Sequence, residues 1–242
     1  MSDLDKDQFA RTRMVIGNSG LEKLKNAHVA VFGVGGVGGF AVEALARAGI
    51  GTLEITDNDT ISVTNINRQI IALHSSVGKY KCDVFKERIH DINPDCRVIT
   101  HKCFYLDDSS SEFDFSRFTY VVDAVDTVTA KILIIENSIK ANVMAISAMG
   151  AGNKLNPADF MITDIYKTEN DPLARVMRHE LRKRGIKALK VVYSNEKPII
   201  NDDIKMKEDQ AAQGLRMPGS ISFVPACAGL LIASEVVKDI LK

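Results

Sequence analysis

The stretch HVAVFGVGGVGGFAVEALARAG, residues 28–49, decides the fold. HVAVF is a short apolar run ending at Gly33, the pattern of a buried strand. FAVEALARA then sets alanine and leucine at helical spacing, and Gly49 stands where a left-handed C-cap belongs. Between them, Gly33-x-Gly35-x-x-Gly38 has the spacing that holds phosphates against a helix N-terminus. Strand, glycine loop and helix together open a nucleotide-binding α/β unit. The glycines do not say which nucleotide.

The alternation continues outward. TLEIT (52–56) is a strand with Asp57 at or just past its end. YKCDVFKERIHDI (80–92) is a helix halted before Asn93-Pro94, and CRVITHKC (96–103) is a strand. FTYVVDAVD (118–126) is a strand with carboxylates at its end, TAKILIIENSIKAN (129–142) a helix, and VMAISAMG (143–150) a strand. Such a pattern means a parallel sheet with helices on both faces, whose ligands sit at the carboxyl ends of the strands. Gly33 to Gly38, Asp57 and Asp126 gather along that edge.

After Gly152 the character changes. DFMITDIYKT (159–168) reads as an antiparallel strand, DPLARVMRHELRKRG (171–185) as a basic helix that Pro172 starts and Gly185 ends, and ALKVVYS (188–194) as a strand. Residues 195–220 are polar and rich in glycine and proline, which predicts a long mobile loop. CAGLLIASEVVKDIL (227–241) is a closing helix. At the other end, residues 4–16 form an amphipathic helix and LEKLKNA (21–27) a second short one. The expectation is a single domain over residues 1–242. It has a helical arm (1–27), a nucleotide-binding core (28–152) and an extension (153–242). The fold class is Rossmann-like, doubly wound and mainly parallel, extended by antiparallel strands.

Bulk properties exclude several classes. Lysine plus arginine equals aspartate plus glutamate at 31 each, so whole-chain charge predicts no polyanion partner, and local clusters have to be inspected separately. MSDLDKDQFARTR lacks the apolar core of a secretory signal, and no apolar run approaches the ~20 residues that span a bilayer. Cys82, Cys96, Cys103 and Cys227 form no Cys-x-x-Cys pair, which argues against a tetrathiolate zinc site and a disulfide framework. A cytoplasmic enzyme is the expectation. The five histidines show no paired metal-ligand spacing and receive no metal role.

The segments after the glycine loop narrow the nucleotide. Asp57 suits the ribose hydroxyls of a dinucleotide, but no hydride-transfer pair is recognisable. Instead DNDTISVTNINRQ (57–69) and SVGKYK (76–81) bring Asn65, Arg68 and Lys81 near the same sheet edge. That is more positive charge than a pyrophosphate diester requires, and it suits a triphosphate with a leaving group to stabilise. VVDAVDT (121–127) ends in Asp126, well placed to hold Mg²⁺ against phosphate oxygens, with Asp123 shaping the strand end.

GVGGVG, DNDTISVTNINRQ, VGKYK and VDAVDT, in that order, resemble the motifs of the E1-like, or ubiquitin-activating, superfamily, which adenylates carboxylates with ATP. The resemblance implies that Gly33, Gly35, Gly36, Gly38, Asp57 and Thr127 contact ATP and that Asn65, Arg68 and Lys81 handle its phosphates. Asp126 then serves the Mg²⁺, and Arg13 reaches into the active site of the partner in a homodimer. Arg13, Arg68, Lys81 and Asp126 make up the implied catalytic set. Carrier-activating members typically carry zinc-binding cysteine pairs, which are missing here, and the crossover region 189–220 contains no cysteine. Cys227 reads as a small packed residue.

The second half, ITDIYKTENDPLARVMRHELRKRGIKALKVVYSNEKP (162–198), resembles the tRNA threonylcarbamoyladenosine dehydratases, and that likeness covers nearly the whole chain. It implies ATP-dependent cyclisation of the modified adenosine at position 37 of tRNA, through an acyl-adenylate and without a catalytic cysteine. The alternative is an adenylyltransferase for the C-terminus of a ubiquitin-like or sulfur-carrier protein. The substrate would be tRNA and not DNA. Arg175, Arg178, Arg182, Lys183, Arg184 and Lys187, with His179 and Lys190 nearby, concentrate positive charge with Glu180 as the only acid. They are read as an RNA-backbone footprint, the other reading being a solvated helix face. The resemblance leaves open a monovalent cation and a sulfur-transfer protein as further partners.

Overall fold

The computed structural model describes residues 7–106, 112–201 and 218–242. Its strands are β1 (His28–Phe32), β2 (Thr52–Thr56), β3 (Arg97–His101), β4 (Tyr120–Asp123), β5 (Met144–Ala148), β6 (Phe160–Asp164) and β7 (Lys190–Ser194). They form one sheet in the order β3-β2-β1-β4-β5-β7-β6. Neighbours run parallel except β6, which pairs antiparallel with β7. Among the described residues the antiparallel part of the extension is therefore one strand, β6. The chain leaves β5, forms the outer edge as β6, and returns through a helix so that β7 fills the gap parallel to β5.

The sheet order reverses between β1 and β4. In open α/β sheets that switch point opens a crevice beyond the strand ends, and here it lies between the loops that follow β1 and β4. Alternate residues of each strand face opposite sides. Val29, Val31, Leu53 and Ile55 enter one core with Leu45, Ile232 and Val236. Ala30, Phe32 and Val121 enter the other with Phe113, Phe115, Phe118 and Ile134. Each fully buried aliphatic side chain contributes about 1.5–3 kcal/mol, so the two cores hold the crevice walls rigid.

Helices cover both faces: α1 (Ala10–Asn26), α2 (Gly38–Ala48), α3 (Lys81–Ile92), α4 (Val128–Lys140), α5 (Pro172–Lys183) and α6 (Phe223–Leu241). The two expected N-terminal helices are one run broken at Gly17 (φ 74, ψ 174), directly after the expected end of the first helix at residue 16. Gly49 (φ 97) ends α2 as its position in the sequence suggested. α6 starts at Phe223, four residues before expectation, because Pro225 falls in its first turn where a missing N–H costs nothing. It lies close on α2: a Cβ at Gly229 would sit 2.3 Å from the Val37 carbonyl oxygen. The expected mobility of 195–220 falls largely on residues 202–217, outside the described residues. No described helix is long and apolar enough to cross a membrane.

One buried charge ties three strands together. Glu54 on β2 accepts hydrogen bonds from His28 Nε2 on β1 (3.0 Å) and His101 Nε2 on β3 (2.8 Å). Burial alone would raise the carboxyl pKa, but these bonds and the imidazole charges outweigh it and hold Glu54 at about 2.

Candidate active site

A cavity of about 900 Å³ opens at the carboxyl end of the sheet, over the switch point. Gly33, Gly35, Gly36, Asp57, Asn65, Arg68, Lys81, Asp126 and Thr127 all line it. Gly38 does not. A Cβ there would lie 1.9 Å from the Gly33 carbonyl oxygen, so Gly38 allows α2 to start against the loop. Gly33 has φ 82, and a Cβ on it would meet the Ala124 carbonyl oxygen at 2.7 Å. The glycine loop thus rests directly on the turn after β4.

Asp57 fastens that loop. Its Oδ2 accepts the Val34 N–H at 2.9 Å and its Oδ1 the Asp59 N–H at 2.9 Å. Lys81, the first residue of α3, is buried with Nζ 2.6 Å from Asp59 Oδ2 and 3.4 Å from Asp57 Oδ1. Arg68 differs: it donates to the Thr64 carbonyl (2.8 Å) and Asn67 Oδ1 (2.9 Å). Among the described residues no carboxylate pairs with it, so its charge stays available to an anion. Asn65 braces the same turn, its Oδ1 accepting the Ser62 N–H at 3.0 Å.

Two residues of this wall were missed from the sequence. Asp59, the second acid of the DND run, is the direct counter-ion of Lys81. Gln69 is buried beside the loop with no hydrogen-bond partner for its Oε1, an orphaned acceptor on the cavity wall. The acid run was a visible signal for Asp59. Nothing but adjacency to Arg68 marked Gln69.

The strand-end reading of Asp126 needs correcting. β4 stops at Asp123, and Asp126 lies three residues on, in an exposed turn where its Oδ1 accepts from Thr127 Oγ1 at 3.3 Å. Asp123 is the buried one. It pairs with Lys131 Nζ at 3.0 Å, accepts from Ser147 Oγ at 2.5 Å, and takes the Val125 N–H at 3.3 Å. Lys131, fully buried on α4, also donates to the Val125 carbonyl at 3.0 Å. A buried ion pair therefore grips the turn on which Asp126 stands.

The other side of the cavity comes from the extension. The turn after β5 supplies Gly150 and Lys154, and Asp171 caps α5 by accepting the Ala174 N–H at 2.9 Å. Lys154 is buried and donates to the carbonyls of Ser194 (3.0 Å) and Glu196 (2.7 Å). Burial lowers its pKa, against the opposing charges of Asp171, Glu196 and Asp159.

The basic helix is less free than its composition suggests. Arg178 donates to Thr168, through both carbonyl and hydroxyl, and Lys183 and Arg184 pair with Glu180. Arg184 also reaches Glu136 at 3.3 Å, and Lys190 lies on β7 against Glu235 and Asp239. Arg175, Arg182 and Lys187 are exposed without a carboxylate partner among the described residues; Arg182 lies over the Tyr166 ring. Arg13 does not line this cavity and pairs with Asp7 at 2.6 Å. Burial pushes the thiols of Cys82 to about 12 and Cys96 to about 11 and raises Cys103 as well. Cys227 donates to the Pro157 carbonyl at 3.3 Å. The described thiols show no arrangement for nucleophilic attack.

Known proteins match this chain over nearly its whole length. The tRNA threonylcarbamoyladenosine dehydratase of Bacillus subtilis strain 168 is 46% identical over 241 residues, 97% of this chain and 95% of that enzyme. The crystal structure of the Escherichia coli tRNA N6-threonylcarbamoyladenosine dehydratase with AMP superposes at a TM-score of 0.88 and 33% identity, covering 99% of this chain and 96% of that one. The same enzyme with ATP gives 0.87. The ThiF family model matches residues 9–242, and the chain belongs to the ThiF family.

Proposed function

We propose that this chain is an ATP-dependent tRNA threonylcarbamoyladenosine dehydratase, which closes the threonylcarbamoyl group of the modified adenosine into a ring with loss of one water. The observation that carries this is a glycine loop and an arginine without a carboxylate partner among the described residues, together in a cavity of about 900 Å³ whose one lining cysteine, Cys103, has its thiol pKa raised. An acid can be activated there, and the attacking atom must come from the substrate. The nearly whole-length similarity to enzymes of that name supports the substrate.

ATP lies over the glycine loop, and the threonyl carboxylate attacks its α-phosphate as pyrophosphate leaves. Arg68 meets the charge growing on the leaving group, and Lys81 joins it as phosphate oxygens compete with Asp59. Asp57 keeps the loop amides aimed at the phosphates through its bond to Val34 N–H. The carbamoyl group then bonds to the acyl carbon and AMP leaves. Among the described residues no group of three or more His, Cys, Asp or Glu side chains could hold a metal by itself. A Mg²⁺ bound mostly by phosphates and water needs only one or two carboxylates, and exposed Asp126 fits that donor set. Bound there, Mg²⁺ would neutralise phosphate charge.

The enzyme works as a homodimer, with Arg13 entering the partner's cavity. Support comes from Arg13 lying outside its own cavity and from Met14 and Val15, apolar side chains 73% and 84% exposed next to it. Mixing inactive Arg13→Ala and Asp126→Ala chains should restore part of the activity, because one site of a mixed dimer is then complete. Mixtures as inactive as their components would refute the shared site. Arg175 and Arg182 on α5 and Lys187 just beyond it are the cations left for an RNA backbone, and the enzyme meets its tRNA in the cytoplasm.

Mass spectrometry of tRNA nucleosides after incubation with ATP tests the proposal: the modified adenosine should lose one water. Cys227→Ser should cyclise within about twofold of the parent, since the scheme uses no thiol. An enzyme that binds ATP yet never dehydrates the nucleoside would end the proposal.

A further inference from the structure

Ring closure releases a proton. As the carbamoyl group bonds to the acyl carbon, its N–H must give up hydrogen while the bond to AMP breaks. Groups around the nucleotide are poor acceptors: Arg68 and Lys81 are cations, Asp57 is tied to Val34 and Asp59, and Asp126 faces the phosphates. Across the cavity, Asp171 and Lys154 are titratable and have no role in adenylation.

Asp171 is close to the chemistry by construction. β5 lies beside β4 with Ser147 opposite Asp123, so the turn after β5 leaves the sheet one strand spacing, about 5 Å, from the turn carrying Asp126. Gly150 in that turn donates its N–H to Asp171 Oδ2 at 2.9 Å. Asp171 is 3% exposed and lines the cavity. A Cβ on Gly150 would lie 3.2 and 3.3 Å from the two carboxylate oxygens, so any side chain at 150 would crowd both of them. A carboxylate has about four lone-pair sites, more than the amide hydrogens here occupy. Burial raises its pKa, partly offset by the N–H groups of Ala174, Gly150 and Leu173 and by Lys154, the charged group facing it. Lys154 in turn faces Glu196 and Asp159. A carboxylate shifted upward is a stronger base near working pH.

We propose that Asp171 is the general base of ring closure. It accepts the carbamoyl N–H proton as the new bond to the acyl carbon forms, the electron pair of the broken acyl–oxygen bond leaves with AMP, and Asp171 later returns the proton to solvent. This rests on the dehydratase reading and deepens it, because Asp171 belongs to TENDPLA (168–174) and to none of the ATP motifs.

The test separates two half-reactions on tRNA carrying threonylcarbamoyladenosine. ATP–pyrophosphate exchange reads adenylation, and nucleoside mass spectrometry reads closure. Asp171→Asn, which retains one capping oxygen, should keep exchange within about threefold and slow closure by about 10²–10⁴-fold. Wild-type closure should rise with pH through a single group above the ordinary carboxylate range, and that limb should vanish in Asp171→Asn. Gly150→Ala, which crowds the oxygens and leaves the carboxylate, should slow closure likewise. Equal loss of both half-reactions in Asp171→Asn would mean a structural cap only and overturn the proposal. So would a pH limb that disappears in Lys154→Met and survives in Asp171→Asn. Wild-type enzyme showing no exchange with modified tRNA would instead sink the dehydratase reading itself.

Discussion

Asp126→Ala is expected to cut tRNA-dependent pyrophosphate release by about 10³-fold or more while leaving the fold intact. The two halves of that expectation rest on one observation. Asp126 is exposed, stands past the end of β4, and has Thr127 Oγ1 as its hydrogen-bond partner at 3.3 Å. Removing such a side chain shifts stability by about 0.5 kcal/mol at most. Its carboxylate nevertheless lines the cavity that also holds Gly33, Gly35, Gly36, Arg68 and Lys81. In the proposed adenylation a negative group there would serve a cation travelling with the triphosphate. Asp126→Asn should fail nearly as badly, because volume is kept and charge is lost. Pyrophosphate release and thermal unfolding, measured on the same preparations, check both halves. A variant within tenfold of the parent would remove Asp126 from the chemistry.

Much of the frame was legible because it depends on period and punctuation. The short runs HVAVF and TLEIT, each buried at every residue after the first, left-handed Gly49, and Pro172 opening α5 are local consequences of local residues. Asp57 and Lys81 could be assigned to one cavity for the same reason, since one follows the end of β2 and the other starts α3; Asn65 and Arg68 line it from the turn between them. The pairing of charges escaped. Lys190 reads in the sequence as part of a basic cluster, yet β7 sets it against Asp239, 49 residues away, at 2.5 Å. Arg178 looks free, and it is bonded to Thr168 ten residues earlier. Whether a cation is neutralised depends on a partner from another element, and linear spacing does not carry that. The same limit put Asp126 on the strand and left Asp123 as an ambiguous neighbour. Strand length is decided by where pairing with β1 and β5 stops.

Lys131 shows what such a hidden pairing can be worth. In the sequence it is one lysine in TAKILIIENSIK, a position that a helix ordinarily turns to solvent; in the fold it is fully buried. Its ammonium holds Asp123 at 3.0 Å and the Val125 carbonyl at 3.0 Å. Lys131→Met leaves the Asp123 carboxylate buried with the Ser147 hydroxyl and one amide but no counter-charge. Breaking one side of a buried pair costs about 3–5 kcal/mol, which for a chain of this size lowers Tm by about 10 °C. Lys131→Met combined with Asp123→Asn should recover much of that loss, because no uncompensated charge remains. Activity separates the pair's two duties. The turn 123–126 carries Asp126 and supports Gly33 through the Ala124 carbonyl, so loosening it displaces both walls of the phosphate site. A displacement of about 1 Å costs on the order of 10²-fold in rate. The double variant, measured well below its Tm, should therefore stay slow even with stability regained. Full activity in the stable double variant would reduce Lys131 to a fold contact, and a single variant that melts within about 2 °C of the parent would deny that the pair matters at all.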